Sequence, residues 1–64
     1  MPHIQITLLQ GRTPEQKRKI VERITQVMVE EAGTKQEGVT VSFIEVSKAD
    51  YASAGVLVLD RPKS

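Results

Sequence analysis

A proline stands directly behind the initiator methionine, and its nitrogen is the most unusual chemical group that this chain could offer. Methionine aminopeptidases remove Met1 when the second side chain is small, so the mature chain would begin with the secondary amine of Pro2. An unperturbed α-amino group has a pKa near 7.7 to 8.0, and burial or a neighbouring cation lowers that pKa. Such an amine can accept and return protons near neutral pH. The alternative is that Pro2 only stiffens the start of a strand, and if Met1 stays attached the Pro2 nitrogen is an amide without basicity.

The rest of the chain contains few other groups of the kind that catalytic or metal sites use. Cysteine is absent, which excludes disulfides and thiolate metal sites, and the single histidine, His3, cannot build a zinc site with partners of its own type. His3 follows Pro2 directly and either points outward from a strand, contacts another subunit or tunes Pro2. Glu45 and Asp50 are five residues apart and do not suggest a carboxylate pair, so we interpret Glu45 as structural. We therefore expect no metal site.

Two segments alternate between apolar and polar residues, as strands with one apolar face do. The first covers residues 3 to 9, where Ile4, Ile6 and Leu8 alternate with polar side chains. The second covers residues 39 to 46 and is rich in β-branched side chains. Because a long helix is predicted between them, we expect the two strands to lie parallel, joined by a right-handed crossover.

The helix between the strands has a clear start and a clear end. Thr13, Pro14 and Gln16 supply a hydroxyl N-cap, a proline at the first helical position and the glutamine of a capping box. The helix is expected to run to about Ala32 and to end at Gly33. Its apolar stripe, spaced by three and four residues, consists of Ile20, Val21, Ile24, Val27 and Met28. Its solvated side is expected to include Lys17, Arg18, Lys19, Glu22 and Arg23.

The predicted fold class is α/β, a single βαβ unit with parallel strands and a short apolar C-terminal segment, residues 52 to 59, that is extended or forms a hairpin. One helix leaves the second sheet face and the sheet edges uncovered, although parallel sheets are normally covered on both faces. We expect neighbouring subunits to supply that cover, the C-terminal segment to pack on another chain, and parts of an active site to come from different subunits. Residues 61 to 64 are expected to form a frayed tail.

Length and composition agree with an oligomer of small subunits. Residues 1 to 64 make a single domain that buries too little surface to be very stable alone. Without cysteine, disulfide bonds cannot stabilise it. Nine basic and eight acidic residues give a net charge of +1, unlike the basic surface of a nucleic-acid binder. No apolar run approaches a membrane span, and the amino terminus lacks the pattern of a signal peptide. We expect a cytoplasmic protein that contacts neither nucleic acid nor membrane.

A resemblance to a known family becomes specific at residues 11 to 17, Gly-Arg-Thr-Pro-Glu-Gln-Lys, which follow Pro2 at the family's usual distance. Together with the βαβ order and Tyr51 after the second strand, they resemble the 4-oxalocrotonate tautomerase family of the tautomerase superfamily over nearly the whole chain. The resemblance implies a cofactor-independent isomerase that moves a proton in enol or 2-oxo acids, a homohexameric assembly, and Pro2 as general acid/base. Two alternatives stay open: a relative with another main reaction, such as decarboxylation or hydration, and a noncatalytic oligomeric module if Met1 is retained.

The resemblance also implies which residues bind the substrate. Arg12 matches the family's carboxylate-binding arginine, whose guanidinium can hold a carboxylate through two hydrogen bonds; the alternative is a surface arginine that pairs with Glu15. Tyr51 stands where the family carries a pocket-lining phenylalanine, and its hydroxyl either bonds the substrate or faces water. Thr40 replaces a second arginine, and the lost cation predicts better turnover of simple enol monoacids than of dicarboxylated dienols. A substitute cation could come from Lys48, Arg61 or protonated His3.

Overall fold

The computed structural model describes residues 2 to 62 and forms a βαβ unit. Strand β1 spans His3–Leu9, helix α1 spans Pro14–Ala32 and strand β2 spans Thr40–Val46. β1 and β2 pair in parallel over their full lengths. The predicted α/β class and the parallel pairing are confirmed, and the second strand begins one residue later than predicted.

The ends of α1 are fixed by the local signals that predict them. The backbone N–H of Gln16 donates to Thr13 Oγ1 over 3.1 Å, and the backbone N–H of Thr13 donates to Gln16 Oε1 over 2.9 Å, which is a complete capping box. Gly33 ends the helix with a φ of 69°, in the left-handed region that glycine adopts without strain. The bounds of the helix therefore follow from its own sequence.

Of the two predicted alternatives for the C-terminal segment, the structure shows the hairpin. Strand β3, Ala52–Ser53, pairs antiparallel with strand β4, Val56–Leu57. Ala54 and Gly55 turn the chain between them with φ angles of 53° and 79°. Positive φ at both central residues is the geometry of a type I′ turn, whose twist matches that of the flanking strands.

Helix α1 covers one face of the two-stranded sheet. The pairing register places Ile4 beside Val41 and Ile6 beside Phe43, and these side chains share the covered face. Val27 is 54 % exposed, so the apolar stripe that reaches the sheet within one chain is narrower than predicted. The stripe residues that are half-buried are Ile20, Val21, Ile24 and Met28.

An ion pair joins α1 to the covered face near the carboxyl end of β2. Lys17 Nζ lies 2.8 Å from Glu45 Oε2 and 5.6 Å from the centroid of the Phe43 ring. The prediction that Lys17 belongs to the solvated side of the helix is therefore wrong. The helical repeat places residue 17 above Val21 and Ile24, on the side that faces the sheet. Glu45 has the structural role that was expected of it, with Lys17 as its partner.

No residue in the described part of the chain is fully buried. The radius of gyration is 15.0 Å, whereas a compact domain of this length would have about 10.7 Å. On the face away from α1, Ile44 is 43 % exposed. A unit with so little buried apolar surface has the incomplete core expected of a subunit.

Met1, Lys63 and Ser64 lie outside the described residues. The expected removal of Met1 and the end of the expected tail fall on these positions.

Candidate active site

Pro2 lies at the amino end of β1, beside the start of β2. Its carbonyl accepts a hydrogen bond of 3.1 Å from the Thr40 N–H, which extends the parallel ladder by one residue. Pro2 also lines an open depression of about 470 Å³, a volume within the range of small-molecule sites. The other residues that line this depression are Thr34, Lys35, Glu37 and Gly38.

The connection from α1 to β2 forms the second wall of this depression. Thr34 Oγ1 donates to the Met28 carbonyl over 3.3 Å, and the Gly38 N–H donates to the Lys35 carbonyl over 2.9 Å. These bonds hold a short 3-10 turn, Gln36–Gly38, against the end of the helix. Because β1 and β2 are parallel, the residues before β2 lie beside the residue before β1.

Lys35 and Glu37 contribute the charges of this depression. Both side chains are exposed, and neither forms a salt bridge within 4.0 Å, since Lys17 and Glu45 make the sole such pair in residues 2 to 62. Neither residue is predicted from the sequence, because each stands in a polar turn between elements. The signal that could have found them is the parallel pairing, which brings residues 34 to 38 next to Pro2.

His3 lies on the sheet face away from α1. Its ring nitrogens lie 2.7 Å from Thr40 Oγ1 and 3.1 Å from Ser42 Oγ, so the ring bridges the two strands. Of the alternatives for His3, the structure shows an outward-pointing side chain, and His3 does not line the depression beside Pro2.

Arg12 lies at the other end of the protomer. β1 has seven residues that each rise about 3.3 Å, so about 23 Å of strand separates Pro2 from the turn that leads to Arg12. Arg12 forms no salt bridge with Glu15 within 4.0 Å in the part of the chain that the structure covers. Arg12 instead lines a second, shallow depression of about 290 Å³, together with Gln16, Lys19, Ile20 and Arg23. Its charged side chains are all cationic, which suits an anionic ligand.

Tyr51 lies at the same end of the protomer as Arg12. It follows the 3-10 turn Lys48–Asp50 beyond the carboxyl end of β2, is 48 % exposed, and accepts a hydrogen bond of 2.9 Å at its carbonyl from the Val58 N–H. Lys48 is exposed in this turn, and the Arg61 guanidinium donates to the Ser53 carbonyl over 2.6 Å. Neither Lys48 nor Arg61 lines the depression beside Pro2.

A single chain therefore does not bring Pro2, Arg12 and Tyr51 together. Pro2 precedes the amino ends of the two parallel strands, whereas Arg12 and Tyr51 follow the carboxyl ends. These residues can share a site only if two copies of the chain contribute opposite ends.

Within residues 2 to 62, no three acidic or histidine side chains gather in a way that could hold a metal ion. The helices in this same range lack the length and apolar character that crossing a bilayer requires.

Comparison with known proteins connects this architecture to one enzyme family. The family model described as "Tautomerase enzyme" matches residues 2 to 61. The 2-hydroxymuconate tautomerase of Bacillus subtilis (strain 168) is 40 % identical over 60 residues, which are 94 % of this chain and 97 % of that protein. The 2-hydroxymuconate tautomerase of Comamonas testosteroni is 39 % identical over 56 residues, which are 88 % of this chain and 89 % of that protein.

Solved structures agree with the sequence comparison. The crystal structure of YwhB, a homologue of 4-oxalocrotonate tautomerase, superposes with a TM-score of 0.91 at 38 % identity and covers 95 % of this chain and all of that chain. A 4-oxalocrotonate tautomerase isozyme from Methylibium petroleiphilum superposes with a TM-score of 0.88 at 34 % identity, covering 91 % of each chain. By sequence and by fold, the chain belongs to the tautomerase enzymes, in the 4-oxalocrotonate tautomerase family of keto–enol isomerases.

Proposed function

We propose that the enzyme moves a proton in enol or 2-oxo acids, with the Pro2 amine as general acid/base after removal of Met1. The observation that carries this proposal is the position of Pro2, half-buried at the edge of an open depression large enough for a small organic acid. The names of its relatives place their substrate, 2-hydroxymuconate, in the same chemical class.

The chemistry needs only a proton carrier. The neutral amine takes the proton of the enol hydroxyl, so the O–H bond breaks and an N–H bond forms, and the electron pair moves along the conjugated chain to carbon. The resulting prolinium then gives its proton to that carbon. Atoms and electrons balance without an oxidant, a reductant or a second substrate.

The amine must be neutral for the first step. Burial disfavours the charged form and lowers the pKa of an amine, and Pro2 is half-buried even within one protomer. A neighbouring subunit that closes the depression would strengthen this effect.

Arg12 and Tyr51 join Pro2 in this proposal from a second copy of the chain. Two copies that lie antiparallel place the carboxyl end of one sheet beside the amino end of the other, which brings Arg12 of one copy to Pro2 of the next. Arg12 would hold the substrate carboxylate through two hydrogen bonds, and the Tyr51 ring would close the pocket. We place this shared site in a homohexamer, because the protomer alone has no fully buried residue in its described part.

Two substitutions at Pro2 test the role of the amine. Pro2→Leu has a large second side chain that blocks removal of Met1, so an amide stands where the amine would be. Pro2→Ala keeps an α-amino group but makes it primary and more mobile. We expect Pro2→Leu to lose about 10²- to 10⁴-fold in kcat for 2-hydroxymuconate, the usual contribution of a general base, and Pro2→Ala to lose less.

Intact mass spectrometry supplies the control for this experiment. The active wild-type protein should be one methionine lighter than its translated sequence, and Pro2→Leu should keep that methionine. An active wild-type protein that retains Met1, or a Pro2→Leu variant with undiminished turnover, would refute the proposal and favour a noncatalytic or different use of the fold.

A further inference from the structure

We propose that the Lys35 ammonium contacts the substrate oxygen on which negative charge develops during proton transfer. This inference rests on the proposed role of Pro2, because it concerns the same depression. It assigns the cation at the reacting oxygen, which is distinct from the carboxylate-binding Arg12, to a residue in the connection between α1 and β2.

The first step of the argument is position. Lys35 and Pro2 line the same depression within one chain, at the amino ends of the parallel strands. The backbone of Lys35 is fixed there by two hydrogen bonds. Its carbonyl accepts a hydrogen bond of 2.9 Å from the Gly38 N–H, and the hydroxyl of the preceding residue, Thr34, donates to the Met28 carbonyl. The long Lys35 side chain therefore starts from a defined point on the lining of the depression that Pro2 also lines.

The second step is the supply of hydrogen-bond donors. The Thr34 hydroxyl donates to the Met28 carbonyl, and the Gly38 N–H donates to the Lys35 carbonyl, so these two donors are already used. Thr40 Oγ1 lies 2.7 Å from His3 Nδ1 on the sheet face away from α1 and does not line the depression. Among the side chains that line it, Lys35 is the donor without an acceptor in the described residues.

The third step is the charge that the reaction creates. Removal of the enol proton leaves an enolate whose negative charge lies partly on oxygen, and a cation at that oxygen stabilises the transition state more than the neutral substrate. The same cation disfavours protonation of the nearby Pro2 amine, since two like charges repel each other. Lys35 thus stabilises both the enolate oxygen and the neutral form of the Pro2 amine.

Glu37 is the opposing charge in this depression. Its carboxylate forms no salt bridge with Lys35 within 4.0 Å, so the Lys35 charge is not cancelled by direct pairing. A carboxylate in the same depression as the amine favours the prolinium, because opposite charges attract. Lys35 and Glu37 therefore act in opposite directions on the pKa of Pro2.

A set of substitutions that each change a single charged residue tests the inference. With 2-hydroxymuconate as the probe, we expect Lys35→Gln to lower kcat about 10- to 100-fold with a smaller change in KM, because the lost contact forms mainly in the transition state. Lys35→Arg keeps the charge and should retain kcat within about threefold of wild type. The matched control is Arg18→Gln, which removes one cation from an exposed position of α1 and should leave kcat unchanged.

The pH profile supplies a readout that a merely structural role would not move. We expect Lys35→Gln to raise the apparent pKa on the acidic side of the kcat/KM profile and Glu37→Gln to lower it. If Lys35→Gln matches Arg18→Gln in kcat and in this pKa, the inference is overturned, while the proposal for Pro2 stands as long as Pro2→Leu is inactive. An active Pro2→Leu variant instead overturns the proposed function itself.

Discussion

The substrate preference that we expect depends on one side chain, Thr40. It stands beside Pro2 through a backbone hydrogen bond of 3.1 Å, and its hydroxyl lies 2.7 Å from the His3 ring. A neutral threonine offers no charge to a second carboxylate, which leaves Arg12 as the carboxylate anchor in the proposed site. Position 40 thus carries no charge.

We therefore expect phenylenolpyruvate, an enol monoacid, to be turned over relatively better than 2-hydroxymuconate, a dicarboxylated dienol. The measurement is the ratio of kcat/KM for the two acids. Thr40→Arg adds a cation at this position and should move the ratio toward the diacid by about 10-fold, the value of one good charged contact. A strong preference of the wild-type enzyme for the diacid would contradict this prediction.

Lys35 is a site residue that the sequence alone does not predict, in contrast to Pro2 and Arg12. Pro2 and Arg12 stand out in the sequence because their types and their surrounding motif are distinctive. Lys35 has no such motif, and its place in the depression depends on the register of two strands that are 37 residues apart along the chain, as the pairing of His3 with Thr40 shows. A local pattern cannot carry that information.

The secondary structure elements, in contrast, follow closely from local physics. The helix begins and ends where its capping box and Gly33 predict, and β1 has the predicted bounds. The C-terminal segment was less predictable, because its turn contains Ala54 at a φ of 53°. Alanine seldom adopts the left-handed region, so an apolar run that includes it resembles one continuous strand.

The positive φ of Ala54 indicates that a substitution at this turn can stabilise the protein. Asparagine tolerates the left-handed region better than alanine, and Asn-Gly is the preferred pair in a type I′ turn. We expect Ala54→Asn to raise the free energy of unfolding by about 0.5 to 1 kcal/mol. Thermal unfolding at a fixed protein concentration measures it, since the stability of an oligomer depends on concentration.

A substitution that should destabilise the same turn, Gly55→Ala, is the control. Gly55→Ala places a methyl group at a φ of 79° and should lower the melting temperature. The hairpin geometry would be in doubt if Ala54→Asn were the less stable protein or if Gly55→Ala had no effect.

The protomer by itself is more open than a compact monomer of its mass. It exposes 5229 Å² of accessible surface, whereas a compact monomer of 7.1 kDa would expose about 4,100 Å². The difference lies partly in apolar side chains such as Val27, Ile44 and Leu59, which are 54 %, 43 % and 60 % exposed. Apolar surface of this kind is usually covered by a partner.

We expect a homohexamer in solution, because contacts with several neighbours are needed to cover the helix flank, the open sheet face and the hairpin. Light scattering at micromolar concentration measures the mass, and the melting temperature should rise with protein concentration. A folded monomer at micromolar concentration, with a melting temperature independent of concentration, would contradict this expectation.

Mixed oligomers reveal whether Pro2 of one copy and Arg12 of another build one active site. Pro2→Leu and Arg12→Gln are each expected to be inactive alone, and the two variants are then unfolded and refolded together. Sites that take Pro2 from one variant and Arg12 from the other are intact, so the mixture should regain turnover of 2-hydroxymuconate in up to about a quarter of its sites. Activity no higher than the sum of the two separate variants would contradict a site shared between subunits.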